Sequence, residues 1–238
     1  MSNGLLKHLK DQKKLKLKGN LYHKTQIALA YNSNRIEGST LTEEQTRHIY
    51  ETKQIDGLAN VNDIIETTNH FRAFDYMLDV ADAPLTEEII KRFHELLKTG
   101  SEDAHIEWFN VGDYKKLPNE VGTVETSSPD MVAVHMKSLL VDYHAKTATT
   151  IEDIIEFHWR FESIHPFQDG NGRVGRLIMF KECLKHDIMP FIIFDHNKLF
   201  YYRGLSAFPE ERGYLVDTCL MAQDIYTSWY IKLIGDFI

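Results

Sequence analysis

Helical signals fill almost the whole chain, and they constrain its fold more than any other feature. Residues 21–37 contain no Gly or Pro and are followed by Gly38, a residue type that commonly ends helices. Residues 42–45 (TEEQ) form a capping box, and Thr86 and Thr150 each precede a segment with apolar residues at helical spacing. The sequence therefore predicts an all-α fold.

The same signals predict further helices at residues 61–80, from Pro129 onward and at 213–235. Residues 109–127 are the exception, because this segment combines turn residues with short alternating pieces, a pattern that favours a β-hairpin flap. The chain contains no linker long enough to separate two domains. We therefore expect one helical domain that carries a short hairpin flap.

Composition and charge exclude several classes of protein. The chain has 238 residues and a formal net charge of −8, which does not favour a nucleic-acid-binding surface. It has no apolar run near the roughly 18 residues needed to cross a bilayer, and its two cysteines have no metal or redox spacing. We expect a soluble, cytoplasmic protein without membrane or nucleic-acid partners. Its lysine-rich segment 5–20 is expected to form a solvated helix face or a frayed terminus.

Gly170, Gly172 and Gly175 form a G-x-G-x-x-G pattern, which also occurs in dinucleotide-binding turns. Such a turn must follow a β-strand within a βαβ unit. Here the preceding residues, 151–164, are a predicted helix, and the chain shows no βαβ alternation. A P-loop is excluded as well, because no G-K-S or G-K-T sequence follows the glycines.

The residues around these glycines indicate phosphate binding instead. Gly170 and Gly172 allow backbone N–H groups to turn toward an anion at the start of a helix, and Asn171 adds a side-chain donor. Arg173 and Arg176 lie three residues apart, so they project from one face of the first helical turn and can bind successive phosphates.

Two further side chains complete the predicted phosphate site. Asp169 offers hard oxygen ligands that suit Mg²⁺ held against the phosphates. His165 lies on the other side of the turn, where it can accept a proton from an incoming hydroxyl. His158, His165 and Asp169 are too few ligands for a closed zinc site, so we expect His158 to be a buried residue.

Residues 165–176 (HPFQDGNGRVGR) match the signature HPFxDGNGRxxR at every defined position, and in this the chain resembles the Fic family. The resemblance extends to residues 112–122 (GDYKKLPNEVG), which are similar to the family's flap, although Lys115 and Asn119 depart from the usual residue types there. It also includes residues 192–205 (IIFDHNKLFYYRGL).

This resemblance implies a domain organisation. The Fic-type core would span residues 84–221, with the flap at 109–127. Residues 1–83 would form N-terminal helices, and residues 222–238 a C-terminal helix packed on the core.

The activity that the resemblance implies is transfer of AMP from ATP to a Ser, Thr or Tyr hydroxyl of a protein, with Mg²⁺ or Mn²⁺ as cofactor. His165 would be the general base, Asp169 the metal ligand, and the target protein would dock on the flap by strand addition. Arg173 would bind the β-phosphate and Arg176 the γ-phosphate. The nucleotide-binding residues implied in this way are Val121, Gly122, Thr123, Val124, Asp169, Gly170, Asn171, Gly172, Arg173, Val174, Gly175, Arg176 and, near the adenine, Tyr201 and Tyr202.

Ser33, Glu37 and Gly38 match a second pattern, S/T-x-x-x-E-G/N, which resembles the family's inhibitory motif. It implies that a helix over about residues 24–38 places Glu37 against Arg176 and fills the space of the γ-phosphate. The alternative is that Glu37 is a surface acid at the end of a helix.

Several functions stay open at this point. AMP transfer is favoured because the motif's glycines and arginines are unaltered. The alternatives on the same scaffold are removal of AMP and transfer of another nucleotide or a phosphate group. A non-enzymatic ATP-binding module is the third class, and His165 argues against it. The expected targets of AMP transfer include the chain itself. The sequence leaves open the identity of the target protein and of the modified residue, the base preference and the formation of a homodimer.

Overall fold

The described part of the chain, residues 3–121 and 124–234 of a computed structural model, is mainly α-helical. Its helices are α1 (Asn3–Leu15), α2 (Leu21–Ile36), α3 (Glu43–Thr52), α4 (Val61–Asp79), α5 (Glu87–Lys98), α6 (Pro129–His144), α7 (Ile151–Ile164), α8 (Asn171–Lys185), α9 (Lys198–Ala207) and α10 (Gly213–Ile234). Short 3-10 helices span Glu102–His105 and Asp195–Asn197. Two strands, β1 (Glu120–Val121) and β2 (Val124–Glu125), pair antiparallel. The expected helical architecture is confirmed.

Local sequence signals set several helix starts. Thr42 and Thr150 each accept a hydrogen bond from the backbone N–H three residues later, and the side chains of Gln45 and Asp153 return the bond. Thr86 caps α5 in the simpler, one-sided manner. These boundaries depend on side chains within one turn, which is why they can be predicted from sequence.

Helix α8 lies at the centre of the molecule, and all its residues from Arg173 to Leu184 are buried. Leu177 and Phe180 belong to the larger apolar cluster, which also contains residues of α1, α2, α4, α5, α6, α7 and α10. Met179 and Cys183 face a second cluster, formed largely by the segments from Phe191 onward. A helix that is buried all round has neighbours on every side, and the candidate site lies at its first turn.

The N-terminal helices are part of the same packed body. Leu29 of α2 and Phe74 of α4 lie in one cluster with Phe93 of α5. The lysine-rich first helix buries Leu5, Leu6 and Leu9, and its Lys13 pairs with Asp79 at 2.8 Å. In the described ranges, no helix is both long and apolar enough to cross a membrane.

Gly204 allows α9 and α10 to come into close contact. A Cβ atom built at Gly204 would lie 2.7 Å from the Cα atom and 2.8 Å from the backbone nitrogen of Leu215. Backbone atoms cannot swing away as the end of a long side chain can, so a larger residue would push the two helices apart.

We expect Gly204→Ala to lower the free energy of unfolding by about 1–3 kcal/mol, the usual cost of overpacking. Urea unfolding followed by circular dichroism measures this change. Gly4→Ala is the matched control, because a Cβ there would have no neighbour nearer than 3.7 Å and Ala favours helix. Equal stability of the Gly204 variant and the unaltered chain would contradict this packing.

Candidate active site

The loop between α7 and α8 is fixed by unusual backbone conformations at both ends. His165 follows α7 in the left-handed region, with φ 51°, and its N–H donates to the Phe161 carbonyl at 2.9 Å. Gly170 begins α8 with φ 82°. A left-handed residue other than Gly costs on the order of 1–3 kcal/mol and persists only where surrounding contacts impose it.

Asn171 supplies one set of these contacts. Its Oδ1 accepts from the Phe167 N–H at 2.8 Å, and its Nδ2 donates to the Phe167 carbonyl at 2.8 Å. The side chain predicted to donate to a phosphate is therefore engaged in holding the loop. The backbone N–H of Asn171, in the first turn of α8, is the group that can serve an anion.

His94 of α5 supports the loop from the other side, and the sequence analysis missed it. Its ring stacks on Phe167, with centroids 4.0 Å apart and planes 2° apart. The Gly112 N–H donates to Nδ1 at 2.9 Å, so Nε2 carries the proton and donates to the Asp169 carbonyl at 3.1 Å. Burial and the charge of Lys98 lower the pKa of His94 to about 3, in agreement with a neutral ring.

The flap segment is tied to the same loop. The Lys115 N–H donates to the Pro166 carbonyl at 2.9 Å, and Asn119 Nδ2 donates to the Phe167 carbonyl at 3.0 Å. Lys115 Nζ also donates to Asn119 Oδ1 and Thr126 Oγ1, both at 2.6 Å. Lys115 and Asn119, the two residues whose types depart from the resemblance, are thus hydrogen-bonded to each other and to the motif loop.

The predicted flap positions are only partly described. Val121 lies in β1 and Val124 in β2. Gly122 and Thr123 fall outside the described residues, and so do the side chains of Val121 and Val124.

His165 is uncharged at neutral pH. Burial and the positive charge of Lys115 lower its pKa to about 4. A neutral imidazole can accept a proton, as a general base must.

The start of α8 offers unpaired backbone donors. Gly170 provides no side-chain cap, and the N–H groups of a helix's first turn have no partner within the helix. A Cβ at Gly172 would overlap Glu37 Oε1 and lie 2.9 Å from Arg176 Nη1, so glycine leaves room for the Glu37–Arg176 pair as it stands. These donors and the helix dipole favour an anion.

Arg173 lies in a buried charge cluster. Its Nη1 donates to Glu66 Oε2 at 2.5 Å and its Nη2 to Asp169 Oδ2 at 2.8 Å. Lys98 Nζ donates to Glu66, Asp103 and Asp169, at 2.6, 2.6 and 2.8 Å. Although burial disfavours a carboxylate, Arg173 and Lys98 outweigh it and hold the pKa of Asp169 well below its usual value.

Arg176 is bound by the end of α2. Its Nη2 donates to Glu37 Oε1 at 2.5 Å and to the Ser33 carbonyl at 3.0 Å, and its Nε donates to Ser33 Oγ at 2.9 Å. Burial opposes the charged guanidinium, but Glu37 outweighs it and raises the pKa of Arg176. The contact expected between Glu37 and Arg176 is therefore present in the structure.

Val174 and Gly175 face away from the open part of the site. Val174 is fully buried in the larger apolar cluster. A Cβ at Gly175 would lie 2.6 Å from the ring of His158 and 2.8 Å from Glu162 Oε1, so glycine lets α7 approach α8. Burial and the charge of Glu37 raise the pKa of Glu162 to about 8. Val174 and Gly175 thus support the site through packing.

The two predicted adenine neighbours differ in exposure. Tyr201 is only 1% exposed, and its hydroxyl is hydrogen-bonded to Nε2 of the buried His158 at 2.7 Å. Its ring therefore offers no open face in this conformation. Tyr202 is 39% exposed and donates to the Ile36 carbonyl at 3.2 Å, beside the end of α2.

Comparison with known proteins finds relatives of the segment that contains this site. Residues 84–183 match the sequence model of the Fic/DOC family. Curated relatives named "Protein adenylyltransferase Fic", from Drosophila melanogaster and Drosophila simulans, are 28% identical over 181 residues. The alignment covers 74% of this chain and 36% of each relative. The chain thus spans about a third of the length of these relatives.

Solved structures share the fold over almost the whole chain. A Fic domain containing signaling protein from Bacteroides thetaiotaomicron VPI-5482 has a TM-score of 0.77 at 24% identity, covering 96% of this chain and 95% of that one. A Fic family protein from Desulfovibrio desulfuricans G20 has a TM-score of 0.72 at 24% identity, covering 98% and 73%. Residues 84–183, which contain the motif at 165–176, are therefore a Fic/DOC domain within this chain.

Proposed function

We propose that this protein is an adenylyltransferase, which moves AMP from ATP to a hydroxyl group of a protein. The observation that carries the proposal is the geometry of the short loop between α7 and α8, which places the imidazole of His165 and the carboxylate of Asp169 at the uncapped start of α8. The curated relatives bear the name of this activity.

The phosphates of ATP would bind at the first turn of α8. The N–H groups of residues 171–173 and the helix dipole favour negative charge there. Arg173 and Arg176 would bind the β- and γ-phosphates by exchanging their present carboxylate partners, Glu66 and Glu37, for phosphate oxygens. For the adenine, the exposed ring of Tyr202 is a better surface than the buried Tyr201.

Asp169 fits a divalent cation. Its side chain is 46% exposed, and Lys98 and Arg173 both donate to its Oδ2. Within the described residues, no side-chain donor is bonded to Oδ1, so an ionised oxygen is left for a hard cation. When bound, Mg²⁺ would offset the charge of the phosphates.

His165 would act as the general base. The hydroxyl oxygen of the target would form a bond to the α-phosphorus, the bond from that phosphorus to the bridging oxygen would break, and pyrophosphate would leave. The imidazole would take the hydroxyl proton. Phosphate charges close to His165 would raise its pKa above the value in the unliganded site and make it a stronger base.

The target protein would dock on the flap through residues Val121, Gly122, Thr123 and Val124. In the part of the chain that the structure describes, the sheet has two strands, so each strand has one edge without a strand partner. An extended peptide can add to such an edge through main-chain hydrogen bonds.

We further propose that Glu37 inhibits the enzyme. It lies on the guanidinium that would bind the γ-phosphate, and Ser33 holds the same guanidinium from the preceding turn. A triphosphate must compete with a carboxylate for Arg176, and like charges repel if both stay. ATP would then bind with its α-phosphorus badly aligned with the incoming hydroxyl.

The transfer reaction can be tested with ATP radiolabelled at either the α- or the γ-phosphate, in the presence of Mg²⁺. We expect label from the α-phosphate alone to appear on protein, on added targets or on the chain itself. His165→Ala should reduce the rate by about 10²–10⁴-fold, the usual contribution of a general base.

His48→Ala is the control for this experiment, because it removes a partly exposed histidine of α3 and should leave labelling unchanged. Label from the γ-phosphate would mean phosphate transfer and would contradict the proposal. Equal labelling by the His165 variant and the unaltered chain would remove His165 from the reaction.

Inhibition can be tested by comparing Glu37→Gly with the unaltered chain in the same assay. We expect labelling to rise by about tenfold or more, since a hydrogen bond between charged groups contributes about 1.5–3 kcal/mol. Glu43→Gln is the matched control, because Glu43 is also paired with an arginine, Arg47 of α3. A Glu37 variant no faster than this control would contradict inhibition.

A further inference from the structure

Lys98 is a fully buried ammonium at the centre of three carboxylates. Its side chain is 0% exposed, and its Nζ lies 2.6 Å from Glu66 Oε1, 2.6 Å from Asp103 Oδ2 and 2.8 Å from Asp169 Oδ2. The lysine comes from the end of α5, and the acids come from α4, the first 3-10 helix and the motif loop. The ammonium group of Lys98 thus links α5 to three other segments.

The three carboxylates by themselves have the geometry of a metal site. One oxygen from each of Glu66, Asp103 and Asp169 lies within 4.8 Å of the others. Carboxylate oxygens in this arrangement suit Mg²⁺ or Mn²⁺. An ammonium has three N–H donors, and all three are used by these acids, so Lys98 fills the space that a metal ion would need.

The charges explain why a cation must be present. Three ionised carboxylates this close together repel one another, and Glu66, the least exposed of them at 12%, is the least screened by water. Arg173 reaches Glu66 and Asp169 but forms no ion pair with Asp103 within the described residues. Without Lys98, the cluster would have to bind another cation or take up protons.

We propose that Lys98 is a built-in cation that occupies the position of a second divalent ion and thereby limits the active site to one ion, bound at Asp169 Oδ1. The role of this single ion, to offset the charge of the phosphates, rests on the proposed AMP transfer. Lys98 holds Asp169 through Oδ2 and so turns the other oxygen toward the phosphates. It acts through Asp169 and is a positioning residue.

Purely structural ion pairing predicts a different behaviour. If Lys98 served stability alone, its replacement would weaken the fold equally with and without a divalent ion. If it stands in for an ion, its replacement creates a vacancy that Mn²⁺ fills, and the fold regains stability because the ligand binds only the native state.

The experiment counts bound Mn²⁺ by electron paramagnetic resonance of the free ion, without nucleotide, for the unaltered chain, Lys98→Ala, Asp103→Asn and the double variant. Alanine removes the ammonium group and the side chain that leads to it, so the space between the three carboxylates becomes free. We expect Lys98→Ala to bind one more Mn²⁺ per chain than the unaltered protein. The other two variants should bind no extra ion, since Asp103→Asn keeps Lys98 in place and the double variant lacks one of the three ligands.

The proposal is overturned if Lys98→Ala binds the same number of Mn²⁺ ions as the unaltered chain, or if the double variant binds the extra ion equally well. Should Lys98→Ala be unfolded in the absence of metal, its helix content is measured by circular dichroism with millimolar Mn²⁺ added. Folding driven by Mn²⁺ supports the stand-in role, and a chain that stays unfolded contradicts it.

The metal count is independent of catalysis. Absence of label transfer by the unaltered chain would contradict the proposed function and leave the difference in bound Mn²⁺ unaffected. Conversely, an unchanged metal count would remove the role of Lys98 while label transfer from the α-phosphate continued to support the enzyme.

Discussion

The burial of two arginines at the first turn of α8 is the constraint on which the rest of the site depends. Because α8 is enclosed on all sides, neither guanidinium can reach bulk water, and a buried charge without a partner is very costly. Glu37 at the end of α2 binds Arg176, while Glu66 of α4 and Asp169 of the motif loop bind Arg173. The helices that precede residue 84 are therefore joined to the segment 84–183 by these ion pairs as well as by the apolar cluster.

In the unliganded site both arginines are paired with carboxylates, and this pairing is the basis of the inhibition proposed above. A triphosphate brings negative charge to a place where both arginines already have carboxylate partners, so it gains less than it would at free guanidinium groups. The loop itself needs no rearrangement, since Asn171 and the stacking of His94 on Phe167 hold its backbone. Under the proposed function, nucleotide binding and its inhibition would depend on whether Arg173 and Arg176 are paired with carboxylates or with phosphates.

Features encoded by neighbouring residues could be predicted from the sequence. The capping signals at Thr42 and Thr150 gave correct helix starts because each acts within one turn. The contact of Glu37 with Arg176, 139 residues apart, was expected only through resemblance to a known motif. Lys98 gave no such signal, because its role requires α4, α5 and the motif loop to meet, and a single lysine in an amphipathic helix is usually solvated.

The most direct test of this account is the affinity of ATP relative to ADP, measured by isothermal titration calorimetry with Mg²⁺. Using His165→Ala throughout avoids turnover, and Glu37 is either kept or replaced by Gly. With Glu37 present, the γ-phosphate finds Arg176 occupied, so ATP and ADP should bind almost equally. Without Glu37, ATP should bind about tenfold more tightly than ADP, as expected for one charged hydrogen bond. An ATP-to-ADP ratio that is the same in both proteins would contradict the claim that Glu37 holds the γ-phosphate site.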